Sequence, residues 1–369
     1  MEKTENYEHA LYKHQTDKSK ADAVAWAFVN NQKFVEFPFL FPEVGPNEIR
    51  ANVLFAGLCL SDSLHGRSKW GESIYPLAPG HEIIAEVSQV GSEVTGFKAG
   101  DKVGFGTLRD ICGSCKYCKS NRGEPLCTDS PHAFTYGFFW GGYATQLQQP
   151  AEFFIRLPDG LDLEKSSPLL CAGITVYTPI KKYLRRNDVA AVFGVGGLGH
   201  LAVQFINKMG NEVFGVTTTP NKKDFILSLG AKDIVVSTDE ESMKENEGKF
   251  DFIIDTIPST ENFNKRFNLL AKDGTYVIVG VGEEGTTNIT IDATSIVLGE
   301  KKIAGSLVGS RETIKEMLEF CQQKNVYPMV ETFSFEDFPK ALDRLENGKP
   351  VFRCVVNTGE WAKKNNLFK

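Results

Sequence analysis

The chain has 369 residues, of which 41% are hydrophobic and 24% charged, the balance of a globular protein with a full core and roughly two or three domains. Its net charge of -6 argues against a nucleic acid as the main partner, because neutralising phosphates needs a basic face. No apolar run approaches membrane-spanning length, and the polar opening segment, residues 1–20, lacks the apolar core of a secretory signal.

Residues 1–20 read as a solvated polar extension, and the expected location is cytoplasmic, with no membrane partner. The next part reads as β-rich. Ala23–Val29, Glu48–Ala56 and Ile83–Val90 are short apolar or alternating runs separated by Gly and Pro turns. Four cysteines then crowd together as Cys112-x2-Cys115-x2-Cys118-x8-Cys127. In a reducing compartment such clusters serve metals rather than disulfides. Four thiolates fill a tetrahedral zinc shell and leave no place for substrate, so this site is expected to be structural. The lobe around it has too few apolar residues to fold by itself, and the missing second Cys/His pair argues against a nucleic-acid zinc module.

From about residue 172 the pattern changes. The apolar runs Val189–Phe193, Glu212–Val216, Ile234–Val236, Phe252–Ile254 and Tyr276–Val279 alternate with helical-period segments. Such runs suit strands buried on both faces of a doubly wound parallel sheet. The loop Gly194-Val195-Gly196-Gly197-Leu198-Gly199 follows the first of these runs. It opens a helix with Leu198, Ala202, Phe205, Ile206 and Met209 on one face. A strand–glycine loop–helix unit brings backbone close to a dinucleotide pyrophosphate and sets its charge at the helix N-terminus. At the end of the next strand, enzymes using NAD place an acid on the ribose 2′-OH; here Thr217, Thr218 and Thr219 offer hydroxyls, and Lys222 or Lys223 a cation. The expected cofactor is NADP(H). Further on, Ser310 reads as the N-cap of a helix over Glu312–Gln322, and Cys321 and Cys354 as buried hydrophobes.

These motifs carry a resemblance. GPNEI, GLCLSD, RSKW, YPLAPGHE followed by Gly91 and Val94, the four-cysteine lobe, CAGITVY and FGVGGLGH occur in order from about residue 21 to 358. In them the chain resembles the zinc-containing medium-chain alcohol dehydrogenases, most closely their cinnamyl alcohol dehydrogenase-like branch. The resemblance implies an α/β chain with a β-rich GroES-like catalytic domain, residues 21–171 and 310–369, and a Rossmann NADP-binding domain, residues 172–309. It implies Zn2+ at two sites per chain, NADP(H), a small aldehyde or alcohol substrate and a homodimer joined through the cofactor domains. Cys59, His81 and Cys171 match the catalytic zinc ligands, and Glu82 a glutamate that reaches the metal when the substrate position is empty. Asp62 matches the acceptor that orients the ligating histidine, and Ser61 the hydroxyl that passes the alcohol proton.

The chain departs from the family pattern at the end of the proton relay, where Leu64 takes the place of a histidine and His65 comes next. On a helix, one residue is a rotation of about 100°, so His65 is expected to point away and a water to carry the proton. Ala85 replaces a glycine, and the x8 spacing before Cys127 is one residue long. Leu64, Trp70, Trp140 and Leu307 are candidate pocket walls, suited to aromatic or long-chain aldehydes. Two other readings stay open: a relay-deficient NADPH reductase of conjugated C=C or C=N bonds, and a cofactor-binding protein without turnover.

Overall fold

The computed structural model describes residues 15–120, 124–129, 141–283, 287–347 and 350–368. The chain separates into two compact units. One comprises Met1–Cys171, Gly309–Gln322 and Tyr327–Lys369, and the other Ala172–Val308 with Gln323–Val326.

The first unit begins with an antiparallel pair, β1 (Ala23–Phe28) and β2 (Phe34–Phe39). Then come β3 (Glu48–Gly57), β4 (Ile83–Val90), β5 (Lys102–Phe105), β6 (Gln146–Pro150) and β7 (Ile155–Arg156). Ile49, Val53, Ile83, Val87, Phe105 and Leu147 form one core cluster of these strands, each fully buried large side chain contributing about 1.5–3 kcal/mol.

The second unit carries β8 (Val189–Phe193), β9 (Glu212–Thr217), β10 (Asp233–Val236), β11 (Phe250–Asp255), β12 (Leu270–Ile278) and β13 (Lys302–Gly305). All pair in parallel, in the order β10-β9-β8-β11-β12-β13. The winding reverses between β8 and β11, the place where doubly wound sheets open a ligand crevice. The strand expected at Tyr276 starts earlier, because Leu270 already pairs with Phe250 ahead of a register shift. Helix Gly199–Lys208 buries Ala202, Phe205 and Ile206 as its 3.6-residue period predicts, but His200, Leu201 and Val203 are buried too, so more than one face is covered, and Leu198 and Met209 are half-buried caps at its ends.

The chain then returns to the first unit through helix Arg311–Lys324, whose start is capped as expected: Thr313 N donates to Ser310 Oγ at 3.2 Å. Strands β14 (Val330–Ser334) and β15 (Arg353–Asn357) follow. They complete a sheet of order β14-β15-β3-β4-β5-β7, with β6 also on β3. Cys321 and Cys354 are buried. No helix among the described residues is long and apolar enough to cross a membrane.

Candidate functional site

Adjacent strands explain how residues far apart in sequence meet. Cys59 is the N-cap of helix Leu60–Gly66, two residues beyond the end of β3. His81 and Glu82 stand directly before β4, which pairs antiparallel with β3, so both segments arrive at the same end of the sheet. Cys171 closes the short helical turn Ser167–Leu170, where Ser167 Oγ donates to the Glu82 carbonyl at 2.9 Å. Ligand atoms of Cys59, His81, Glu82 and Cys171 all lie within 4.8 Å of one another, and all four residues are buried.

Their surroundings set their charges. Asp62 Oδ1 lies 2.8 Å from His81 Nδ1. Burial alone would discharge the imidazole, yet the Asp62 carboxylate holds its pKa well above the ordinary value. A hydrogen bond from Cys171 draws the Cys59 thiol well below its usual range, and the same bond pushes Cys171 up. Burial raises Glu82 to about 7 against the pull of Arg353, which donates to Glu82 Oε1 and, at 2.9 Å, to the Leu58 carbonyl. Glu82 Oε2 is buried without a hydrogen-bond partner. Two sulfurs, an imidazole and an unsatisfied carboxylate oxygen, converging out of reach of water, are costly alone and match the donor preferences of zinc.

The other candidates near this cluster fall into place around the short helix. Ser61 is half-buried, with its Oγ 3.5 Å from Cys59 Sγ. The segment is helical, Leu64 is buried on it, and His65 is half-buried on a different face. Of the proposed pocket walls, Trp70 is half-buried, Leu307 is exposed and Trp140 lies outside the described residues.

Cys112, Cys115, Cys118 and Cys127 also gather within 4.8 Å, all half-buried. Cys115 Sγ sits 3.5 Å from Cys118 Sγ, and the Cys112 amide donates to Cys127 Sγ at 3.4 Å. Backbone donation at Cys118 lowers the Cys115 thiol to about 6, so one sulfur is predisposed to the thiolate that metals bind. Glu124, three residues before Cys127, accepts bonds from Arg311 at 2.7–3.1 Å.

In the second unit, the glycine loop leaves β8 with Gly194 at φ +77, a conformation that favours glycine. Thr256 Oγ1 donates to the Phe193 and Gly194 carbonyls at 2.9 and 2.8 Å, fastening the loop to the end of β11. Gly196, Gly197 and Leu198 are half-buried, and Gly199 begins the helix. A cleft of about 910 Å³ touches the carboxyl ends of β8 to β11 at Phe193, Thr218, Ser237 and Ile257 but extends past Met243 and Lys265 to Glu247 and Leu269, before the starts of β11 and β12, and no glycine of the loop lines it. Thr217 is buried and its hydroxyl is engaged with Thr219, whereas Thr218 and Thr219 are exposed. Lys223 is paired with Asp233 at 2.8 Å; Lys222 is exposed, with no ion pair among the described residues.

Sequence reasoning missed two buried partners. Arg353 left a readable signal, a lone cation inside the apolar run Val351–Val356. Tyr143, whose hydroxyl donates to Asp62 Oδ2 at 3.0 Å, left only a tyrosine after two glycines.

Comparison with known proteins places both units. Residues 45–159 match the alcohol dehydrogenase GroES-like domain, and residues 197–323 match the zinc-binding dehydrogenase domain. Cinnamyl alcohol dehydrogenase 8 of Arabidopsis thaliana is 36% identical over 337 residues, covering 89% of this chain and 93% of that one. The aldehyde reductase AdhA of Synechocystis is also 36% identical, covering 89% and 96% of the two chains. The crystal structure of a cinnamyl alcohol dehydrogenase from Helicobacter pylori, complexed with NADP(H), superposes with a TM-score of 0.82 at 34% identity, covering 91% and 98%. The chain belongs to the zinc-containing medium-chain alcohol dehydrogenases, in their cinnamyl alcohol dehydrogenase-like branch.

Proposed function

We propose that the protein is a zinc-dependent alcohol dehydrogenase and aldehyde reductase that moves hydride between NADP(H) and an aldehyde or primary alcohol. The observation that carries this is the buried convergence of Cys59, His81, Glu82 and Cys171. Cys59, His81 and Cys171 hold the catalytic zinc, with Glu82 as an exchangeable fourth donor. Cys112, Cys115, Cys118 and Cys127 hold a second, structural zinc. Bound there, the first zinc supplies a Lewis acid for the carbonyl oxygen, and NADPH the hydride. Asp62 keeps the His81 ring oriented. The Ser61 hydroxyl, 3.5 Å from Cys59 Sγ, exchanges a proton with the substrate oxygen. Leu64 ends the relay at an apolar side chain, so the proton continues through water.

The glycine loop and the helix it opens take the pyrophosphate; nothing lies within 4 Å of where a Cβ would stand at Gly196, leaving room for close approach. Thr218, Thr219 and Lys222 take the 2′-phosphate, a choice supported by their exposure and by the pairing of Lys223 with Asp233. Thr217 shapes the turn beneath them through its bonds with Thr219. Lys222→Ala should raise the KM for NADPH about ten- to a hundredfold with little change for NADH, one charge-assisted contact being worth about 1.5–3 kcal/mol. Lys223→Ala should change neither strongly. Equal losses with both cofactors would move the phosphate site elsewhere.

Aromatic or long-chain aldehydes are the proposed substrates, supported by the apolar Leu64 and by relatives named for cinnamyl alcohol. Residues 21–171 and 310–369 form the zinc domain and 172–309 the cofactor domain of this reading. It places the enzyme in the cytoplasm, where thiolates stay reduced. It also makes it a homodimer joined through the cofactor domains, where β13 is an edge strand and the helix before it, Ala293–Gly299, exposes Val297 and Leu298. Incubation with cinnamaldehyde and NADPH should yield cinnamyl alcohol. A saturated aldehyde would favour the relay-free reductase that Leu64 also admits.

A further inference from the structure

Asp62 collects four buried donors. Oδ1 faces His81 Nδ1 at 2.8 Å and the Gly80 amide at 3.0 Å; Oδ2 accepts from the Cys59 amide at 3.2 Å and from the Tyr143 hydroxyl at 3.0 Å. The carboxylate therefore ties together two of the three segments that carry zinc-site residues, those of Cys59 and His81. Tyr143 adds the stretch leading into β6. We propose that Tyr143 is a positioning residue for the zinc site: through Asp62 it fixes the His81 ring so that Nε2 faces Cys59 and Cys171. This rests on the zinc reading of that cluster.

The rest of Tyr143 is held independently of its hydroxyl. Its amide donates to the Pro79 carbonyl at 2.9 Å, and its carbonyl accepts from the Trp26 amide at 2.7 Å. Its ring packs 4.5 Å from Phe338 and edge-on to Phe34. Gly80, at φ +111, leaves the space that the ring edge uses; a Cβ there would stand 2.6 Å from Tyr143 Cδ1. The tyrosine thus packs against the His81 segment through backbone and ring, and only its hydroxyl reaches Asp62. Without that hydroxyl, Oδ2 keeps a single bond of 3.2 Å in a site closed to water, and the carboxylate is free to turn away from His81. Partners of this kind behind a ligating histidine change metal affinity about 10–100-fold.

Tyr143→Phe isolates the hydroxyl, since the ring and its packing remain. The test is release of zinc from the purified holoenzyme to excess chelator, with the phase belonging to the Cys59 site identified by its absence in Cys59→Ser. Tyr143→Phe should speed that phase about tenfold while leaving the four-cysteine phase and the KM for NADPH unchanged. Asp62→Asn should speed it as well, and adding Tyr143→Phe to it should bring no further acceleration. Cobalt substituted into the Cys59 site should show a shifted absorption band in Tyr143→Phe. Release at the wild-type rate, or effects of the two substitutions that multiply, would overturn the role of Tyr143 even if the variant melted at a lower temperature. A wild-type protein with no zinc in the Cys59 site would instead overturn the zinc reading itself.

Discussion

Glu82 shows how tightly the end of the sheet beside Cys59 and His81 is specified residue by residue. Its carboxylate is fully buried, with Arg353 on one oxygen and Gly57 pressed against the other. A Cβ at Gly57 would overlap Oε2, so Gly57→Ala must displace the carboxylate or the strand. The expected cost is about 1–3 kcal/mol, read from denaturant unfolding, together with reduced zinc content; unchanged values for both would mean that Glu82 has more room than its packing implies. Removing Arg353 strands the charge instead. Arg353→Met should cost about 3–5 kcal/mol, and combining it with Glu82→Gln should recover part of the loss, because a neutral amide tolerates burial without the cation. Penalties that simply add would show that the two side chains do not act as a pair. Cys59, His81, Glu82 and Cys171 were legible only because the short motifs around them resemble those of a known family. Arg353 and Tyr143 were not, because their importance comes only from meeting Glu82 and Asp62 across the fold.

At the scale of elements, the segment carrying Cys127 is fastened to helix Arg311–Lys324 through Glu124. Arg311 engages Glu124 through several bonds and reaches the Glu152 carbonyl at 2.6 Å. Burial pushes the Glu124 carboxyl up, but the bonds from Arg311 outweigh it and hold the group below its ordinary 4.5. A carboxylate lowered in this way adds stability that is complete above the unfolded pKa and is lost as pH falls through the folded one. Arg311→Ala should therefore cost about 1–3 kcal/mol near neutral pH, and the gap from wild type should narrow as pH drops below 4.5. Thermal melts across that range measure it, and a gap independent of pH would mean that the arginine acts through packing alone. The strands that were read from sequence have small boundary errors, since period-2 and buried apolar runs mark strands wherever a sheet has solvent or helices on its faces, whereas β2, β5, β6, β7, β13, β14 and β15 were not read. The early start of β12 was hidden because Lys272 and Asp273 make its first half look like a polar turn.

For the whole molecule, the alternation of strand and helix after residue 172 made the parallel sheet legible, whereas the sheet of the first unit was not. There β15 comes from the far end of the chain to pair with β3, and no local pattern announces such a long-range contact. The same distance explains why Cys59, His81, Glu82 and Cys171 could be joined only by family resemblance before the structure brought them together. Their proposed action together is that of the electrophilic centre of an NADPH-dependent reductase. The most direct test compares Cys59→Ser with wild type in two readouts, cinnamaldehyde reduction and NADPH binding by fluorescence. Turnover should fall about a thousandfold or more, as expected for several kcal/mol of lost transition-state stabilisation, while the Kd for NADPH should stay within about twofold of wild type, since the proposed cofactor site at the glycine loop belongs to the other unit. Reduction at the wild-type rate by a Cys59→Ser protein that has lost its zinc would contradict the proposed role of that centre.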